Sequence, residues 1–222
     1  MSEKRILCFG DSLTWGWVPQ IDGAPTTRYP SDVRWTGQLQ NSLGHGYVVI
    51  EEGLNGRTTS LDDPTDPRLN GSDYLPSALA SHLPLDLVIV MLGTNDTKAY
   101  LKRSAIEITA GMSKLIGQVL SSAGGAGTVY PAPELLIMAP PPLAPIPNPH
   151  FKSLFDGAHE KTAQLGTLYG NLADFKNINF LDAGELLSTD GADGIHFSEE
   201  NNLTLGKTVA EKVKSIFKIQ QV

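Results

Sequence analysis

Four short segments of the sequence hold residue types that together suit acyl transfer. Gly10-Asp11-Ser12-Leu13 sets a serine hydroxyl on a tight turn that glycine makes possible. A serine becomes a nucleophile when a neighbouring base takes its proton. Far downstream, Asp190-Gly191-Ala192-Asp193-Gly194-Ile195-His196-Phe197 offers that base, an imidazole whose second nitrogen can be held by Asp193 three residues earlier in a glycine-containing loop. Gly53-Leu54-Asn55-Gly56-Arg57 brings a backbone N–H at Gly56 with no Cβ in its way, and Gly93-Thr94-Asn95-Asp96 brings the Asn95 amide. If the Ser12 N–H, the Gly56 N–H and the Asn95 side chain converge, they stabilise the oxyanion of a tetrahedral intermediate. Taken singly, each residue has a plainer reading: Ser12 as a turn cap, and Asp193-Gly194 as a turn before an incidental surface histidine. The G-x-S-x-G elbow is missing because position 14 is threonine, which argues against an α/β-hydrolase fold.

The elements that must position these residues are legible as an alternation. Five apolar runs of strand length stand at Ile6–Phe9, Tyr47–Ile50, Leu87–Met91, Leu135–Met138 and Ile178–Leu181. Their continuous rather than alternating apolarity predicts strands buried on both faces of a parallel sheet. Helical patterns fall between them, at Val33–Leu43, Tyr74–Leu83, Ser104–Ser122, Phe155–Phe175 and Ser198–Phe217. Ser104 followed by Glu107 is a capping box, Ser198 with Glu199 and Glu200 caps the last helix, and Val209, Val213 and Ile216 mark that helix's buried face. The β-α alternation predicts a three-layer α/β/α sandwich of flavodoxin-like or Rossmann-like type. Ligands in such sheets bind beyond the carboxyl ends of the strands, where all four segments sit on long loops. No linker divides the chain, so residues 1–222 are expected to form one domain.

Composition narrows the function classes. Of 222 residues, 41% are hydrophobic and 18% charged, which excludes intrinsic disorder. The 22 glycines and 15 prolines are spread along the chain and predict long, shaped loops. A net charge of −7 argues against nucleic acid or an anionic membrane as partner and fits a small uncharged or cationic ligand. The one cysteine, Cys8, reads as a buried hydrophobe inside the first strand; with no secretory core or membrane span near the N-terminus, the expected compartment is cytoplasmic. His45, His82, His150 and His159 follow no metal-ligand pattern and read as surface or loop residues, and Asp62–Asp66 as a proline-stiffened turn.

The four segments, in order, resemble the blocks of the SGNH or GDSL hydrolase family. Position by position, the resemblance implies Ser12 as nucleophile, Asp193 and His196 completing a triad, and Ser12, Gly56 and Asn95 as the oxyanion hole. It also implies a flavodoxin-like sheet in the order 2-1-3-4-5, with no metal and no organic cofactor. The stretches Arg5–Pro19, Asp62–Gly71 and Leu83–Tyr100 are similar to the bacterial arylesterase branch that also transfers acyl groups to alcohols. Members of that branch assemble as homo-octamers, so a homo-oligomer is implied here. Gly56 departs from the acyltransferase pattern, where a bulkier residue stands, which bears on how far transfer competes with hydrolysis.

Leu13, Trp15, Thr94, Phe151, Phe155 and Ile195 are the expected walls of a substrate pocket, with the rigid loop Pro140–Pro149 beside them. Apolar walls exclude water and favour short acyl and aryl groups, with water or an alcohol as acceptor. Trp17 and Phe155 read equally well as subunit contacts. The expected function is hydrolysis of short-chain aryl, alkyl or acetyl esters through an acyl-enzyme, with acyl transfer to alcohols. The alternatives are a carbohydrate acetylesterase of the same fold, a metal-dependent phosphoesterase using Asp11, Asp96, Asp193 and His196, and a non-catalytic binding module.

Overall fold

In the computed structural model, residues 3–125 and 127–219 are described. Five strands, β1 (Lys4–Gly10), β2 (Tyr47–Gly53), β3 (Leu87–Met91), β4 (Glu134–Ala139) and β5 (Asn179–Asp182), form one parallel sheet in the order β2-β1-β3-β4-β5. The doubly buried strands follow from the apolar runs. On β1, Leu7 and Phe9 face one layer while Ile6 and Cys8 face the other; β3 and β4 divide in the same way.

Helices α2 (Trp35–Leu43) and α7 (Glu199–Ile219) cover one face, through Trp35, Leu39, Leu205, Val209, Val213 and Ile216. Helices α3 (Gly71–His82), α4 (Ala105–Leu120) and α6 (Ala158–Lys176) cover the other, through Leu75, Ile108, Met112, Leu115, Leu165 and Tyr169. The capping box on α4 forms as its sequence predicts, with the Glu107 N–H donating to Ser104 Oγ and the Ser104 N–H donating to the Glu107 carboxylate. No described helix is long and apolar enough to cross a membrane.

Two short helices depart from the expected pattern. The chain leaves β1 directly into α1 (Ser12–Trp15), one turn long and too short to show a periodicity. The helix expected from Phe155 to Phe175 is α6, but a further short helix, α5 (Pro149–Leu154), stands before it where only a loop was expected, and Gly157 at φ 70° separates the two. Asn148 starts α5, its Oδ1 accepting from the His150 and Phe151 N–H groups, with Pro149 at the first helical position. β2 also runs three residues further than its apolar run. It is an edge strand, and its Glu51 and Glu52 are paired, with Arg34 at 2.6 Å and His82 at 2.8 Å. His82 therefore closes α3 against the sheet edge, while His45 and His150 are exposed.

Strand register aligns the four segments. Gly10 lies opposite Gly53 on β2 and Met91 on β3, and Met91 lies opposite Met138 on β4. The loops after β1, β2 and β3 therefore leave the sheet side by side.

Candidate active site

The site begins where β1 ends. A Cβ at Gly10 would stand 2.1 Å from Thr14 Oγ1, so the chain can turn this sharply into α1 only with glycine there. Asp11 caps α1, its Oδ1 accepting from the Leu13 N–H at 3.0 Å, and Ser12 takes the first helical position, buried at the rim of the sheet.

The loop after β5 reaches back over this turn. Asp193 Oδ1 accepts from the backbone N–H groups of Ile195 and His196, both at 2.9 Å, so the carboxylate organises the loop that carries the imidazole. Asp193 Oδ2 lies 2.7 Å from His196 Nδ1, and His196 Nε2 lies 2.8 Å from Ser12 Oγ. In the tautomer that donates from Nδ1 to Asp193, Nε2 accepts from the serine hydroxyl. Burial acts to raise the Asp193 carboxyl, but the hydrogen bond and charge of His196 and the two N–H donors outweigh it and hold the group below its ordinary value. The Trp17 ring stacks on His196 with centroids 5.1 Å apart and fixes the imidazole plane.

The loops after β2 and β3 complete the rim. Gly56 adopts φ 86°, a backbone conformation in which a side chain is strained. Asn95 Nδ2 donates to Asp11 Oδ2 at 3.2 Å, which orients its amide. Asp11 therefore caps the helix that carries Ser12 and aims Asn95 as well. It is 1% exposed, and burial pushes its carboxyl up to about 7 against the pull of the Leu13 N–H, with the nearby Asp96 charge adding to the rise. Burial likewise carries Asp96 up to about 6, against hydrogen bonds from the Thr59 N–H and hydroxyl. The Arg57 charge counters the rise at Asp11; its guanidinium donates to the Gly10 and Glu52 carbonyls and lies 4.2 Å over the Phe9 ring, tying the ends of β1 and β2 together.

These groups open on a cavity of about 260 Å³. Ser12, His196, Gly56 and Asn95 line its floor, and Phe151, Phe155 and Ile195 stand in its wall together with Trp17, Leu154, Asn55 and Lys98. Helix α5 delivers Phe151 and Leu154, and with Leu143 and Ile146 these side chains form a small apolar cluster of their own above the sheet. Leu13, Trp15 and Thr94, expected in the wall, lie elsewhere. Leu13 is buried in the core under α2 and α7, Trp15 lies beneath the Arg28 guanidinium, and Thr94 is buried in the rim loop, where its carbonyl accepts from Thr97. Helix α1 causes this, because its one turn swings Leu13 and Trp15 away while Gly16 returns Trp17 to the cavity. Among the described residues no three His, Cys, Asp or Glu side chains gather as metal ligands, so Asp11, Asp96, Asp193 and His196 do not form the cluster a two-metal site needs.

A profile of the GDSL-like lipase/acylhydrolase family matches residues 8–201. The chain belongs to the GDSL-like lipase/acylhydrolase family. Among solved structures, the M. smegmatis aryl esterase is 63% identical, with a TM-score of 0.95 over 96% of this chain and 99% of that one. Est24, a carbohydrate acetylesterase from Sinorhizobium meliloti, is 60% identical, with a TM-score of 0.96 over 96% of this chain and all of its own. A carbohydrate acetylesterase family member from the same organism is 38% identical, with a TM-score of 0.88 over 96% and 98%. A comparison with curated proteins gives no match. The sheet order and the surrounding helices are those of the SGNH hydrolase fold, and the GDSL-family chain is a serine esterase of the SGNH type acting on small-molecule esters.

Proposed function

We propose that Ser12 is the nucleophile, that His196 takes its proton as the hydroxyl attacks an ester carbonyl, and that Asp193 holds the imidazole tautomer and the imidazolium that forms. The oxyanion rests on the Ser12 and Gly56 N–H groups and the Asn95 amide. The alcohol leaves with the proton from His196, and the acyl group stays on Ser12 until water, or a second alcohol, is deprotonated by His196 and removes it. The observation that carries this reading is the unbroken chain from Ser12 Oγ through His196 to Asp193, at 2.8 and 2.7 Å, opening on an apolar cavity.

The cavity's size supports short acyl chains, and its aromatic wall supports aryl and small alkyl leaving groups and disfavours water as competitor to a bound alcohol. The reading includes assembly with copies of the same chain, as the family resemblance implies, and a cytoplasmic setting, which the single cysteine supports. The test is Ser12→Ala assayed on an aryl acetate. Turnover is expected to vanish while circular dichroism and melting temperature stay close to those of the parent, and retained turnover contradicts the assignment.

A further inference from the structure

One side chain of the cavity wall stands against the reacting base and takes no proton itself. Trp17 stacks on the His196 imidazole with ring centroids 5.1 Å apart and planes 16° from parallel. The backbone holds it there. Its N–H donates to the Ser12 carbonyl at 3.1 Å, and its neighbours are tied to the following segment, Tyr29 N to the Gly16 carbonyl at 2.7 Å and Val18 N to the Thr27 carbonyl at 3.1 Å. Hydroxyl and indole therefore reach the imidazole from one pinned turn, the first at Nε2 and the second across the ring face.

His196 is buried, so the positive charge it gains when a proton moves onto Nε2 has little water to carry it. Asp193 balances that charge at Nδ1. Lys98, the cation in the same wall, has the same sign and is paired with Asp63 at 2.9 Å. The indole face is left to meet the charge: aromatic faces attract a cation within about 6 Å of the ring centroid, and tryptophan does so most strongly. A second observation points the same way. Trp17 Nε1 is buried and donates to no acceptor among the described residues. A buried donor without a partner destabilises the fold, and phenylalanine would fill an apolar wall without one. What tryptophan adds at this position is the stronger π face.

We propose that Trp17 is a positioning residue whose ring face stabilises the His196 imidazolium, and with it the transition states on both sides of the acyl-enzyme. The proposal rests on the serine mechanism above. In acylation the proton that charges the imidazole comes from Ser12, and in deacylation from the incoming water or alcohol. The neutral imidazole gains much less from the same face, so the ring lowers the barrier rather than tightening substrate binding.

Fluorine on the indole separates this role from packing, because it withdraws electrons from the π face and leaves the ring nearly the same shape. Mono-, di- and trifluorotryptophan are placed at position 17 by stop-codon suppression, and the acylation rate at saturating aryl acetate is read from the first release of the phenol. That rate is expected to fall step by step along the series, by about two- to thirtyfold in all, with the half-saturating ester concentration and the melting temperature close to those of the parent. Trp17→Leu, which removes the face, is expected to lose at least as much, and Trp17→Phe to recover part of it; if Trp17→Leu does not fold, the fluorinated series decides alone. A rate that stays flat along the series, or a series that moves only the half-saturating concentration, overturns the proposal and leaves Trp17 as a wall of the cavity. A parent protein that the aryl acetate does not acylate on Ser12 overturns the serine mechanism itself, a failure distinct from a flat series.

Discussion

Asn95 shows how one side chain is made useful by another. Its amide is held by Asp11, which also caps α1, so a single buried carboxyl sets both the helix that carries Ser12 and the amide proposed as an oxyanion donor. Removing one such donor typically costs about 100- to 1000-fold in turnover. Asn95→Ala is therefore expected to lower kcat on an aryl acetate by that factor with KM little changed, and a loss of less than tenfold assigns the oxyanion to other donors. The residues of this rim were legible in the sequence because each sits in a segment where glycine, a short polar side chain and a strand end coincide. The second role of Asp11, and the cavity positions of Asn55, Lys98 and Leu154, were not. Which way a loop side chain points is fixed by distant contacts, such as the Asp63 carboxylate that draws Lys98 inward across 35 residues of sequence.

At the scale of elements, the sheet and its long helices follow from apolar runs and caps, while the short helices that shape the cavity carry too few residues to display a period. Helix α5 is the case that matters for function, because Asn148 and Pro149 at its start were read as the end of a proline-stiffened loop rather than as a cap and first helical residue. Losing a side-chain cap costs about 0.5–2 kcal/mol. Two cap variants separate stability from function. Ser104→Ala removes the capping box of α4, none of whose residues lines the cavity, and is expected to lower the melting temperature with kcat/KM intact. Asn148→Ala loosens the turn that carries Phe151 and Leu154 into the cavity, and is expected to raise KM several-fold at similar melting temperature cost. Equal kinetics in the two variants contradict a role for α5 in substrate contact.

For the whole molecule, the buried acids set a pH dependence of stability with two separate windows. Asp11 and Asp96 have folded-state values of about 7 and about 6, above the model-peptide value near 3.9, so the folded state binds protons more tightly than the unfolded chain. Their contribution is complete below pH 4 and is lost as pH rises toward 7. Asp63 and Asp193 are held below the ordinary range, so theirs is complete above pH 4 and is lost as pH falls through the folded-state values. Asp96→Asn is expected to flatten the decline in melting temperature between pH 4 and 7 relative to the parent protein, and an unchanged slope contradicts the assignment. The central claim, however, is covalent. Acid-quenching the protein during turnover of an aryl acetate and mapping its peptides by mass spectrometry should find one acetyl group per chain, on Ser12; an acetyl group on any other residue, or none on a protein that is turning over, would contradict the account.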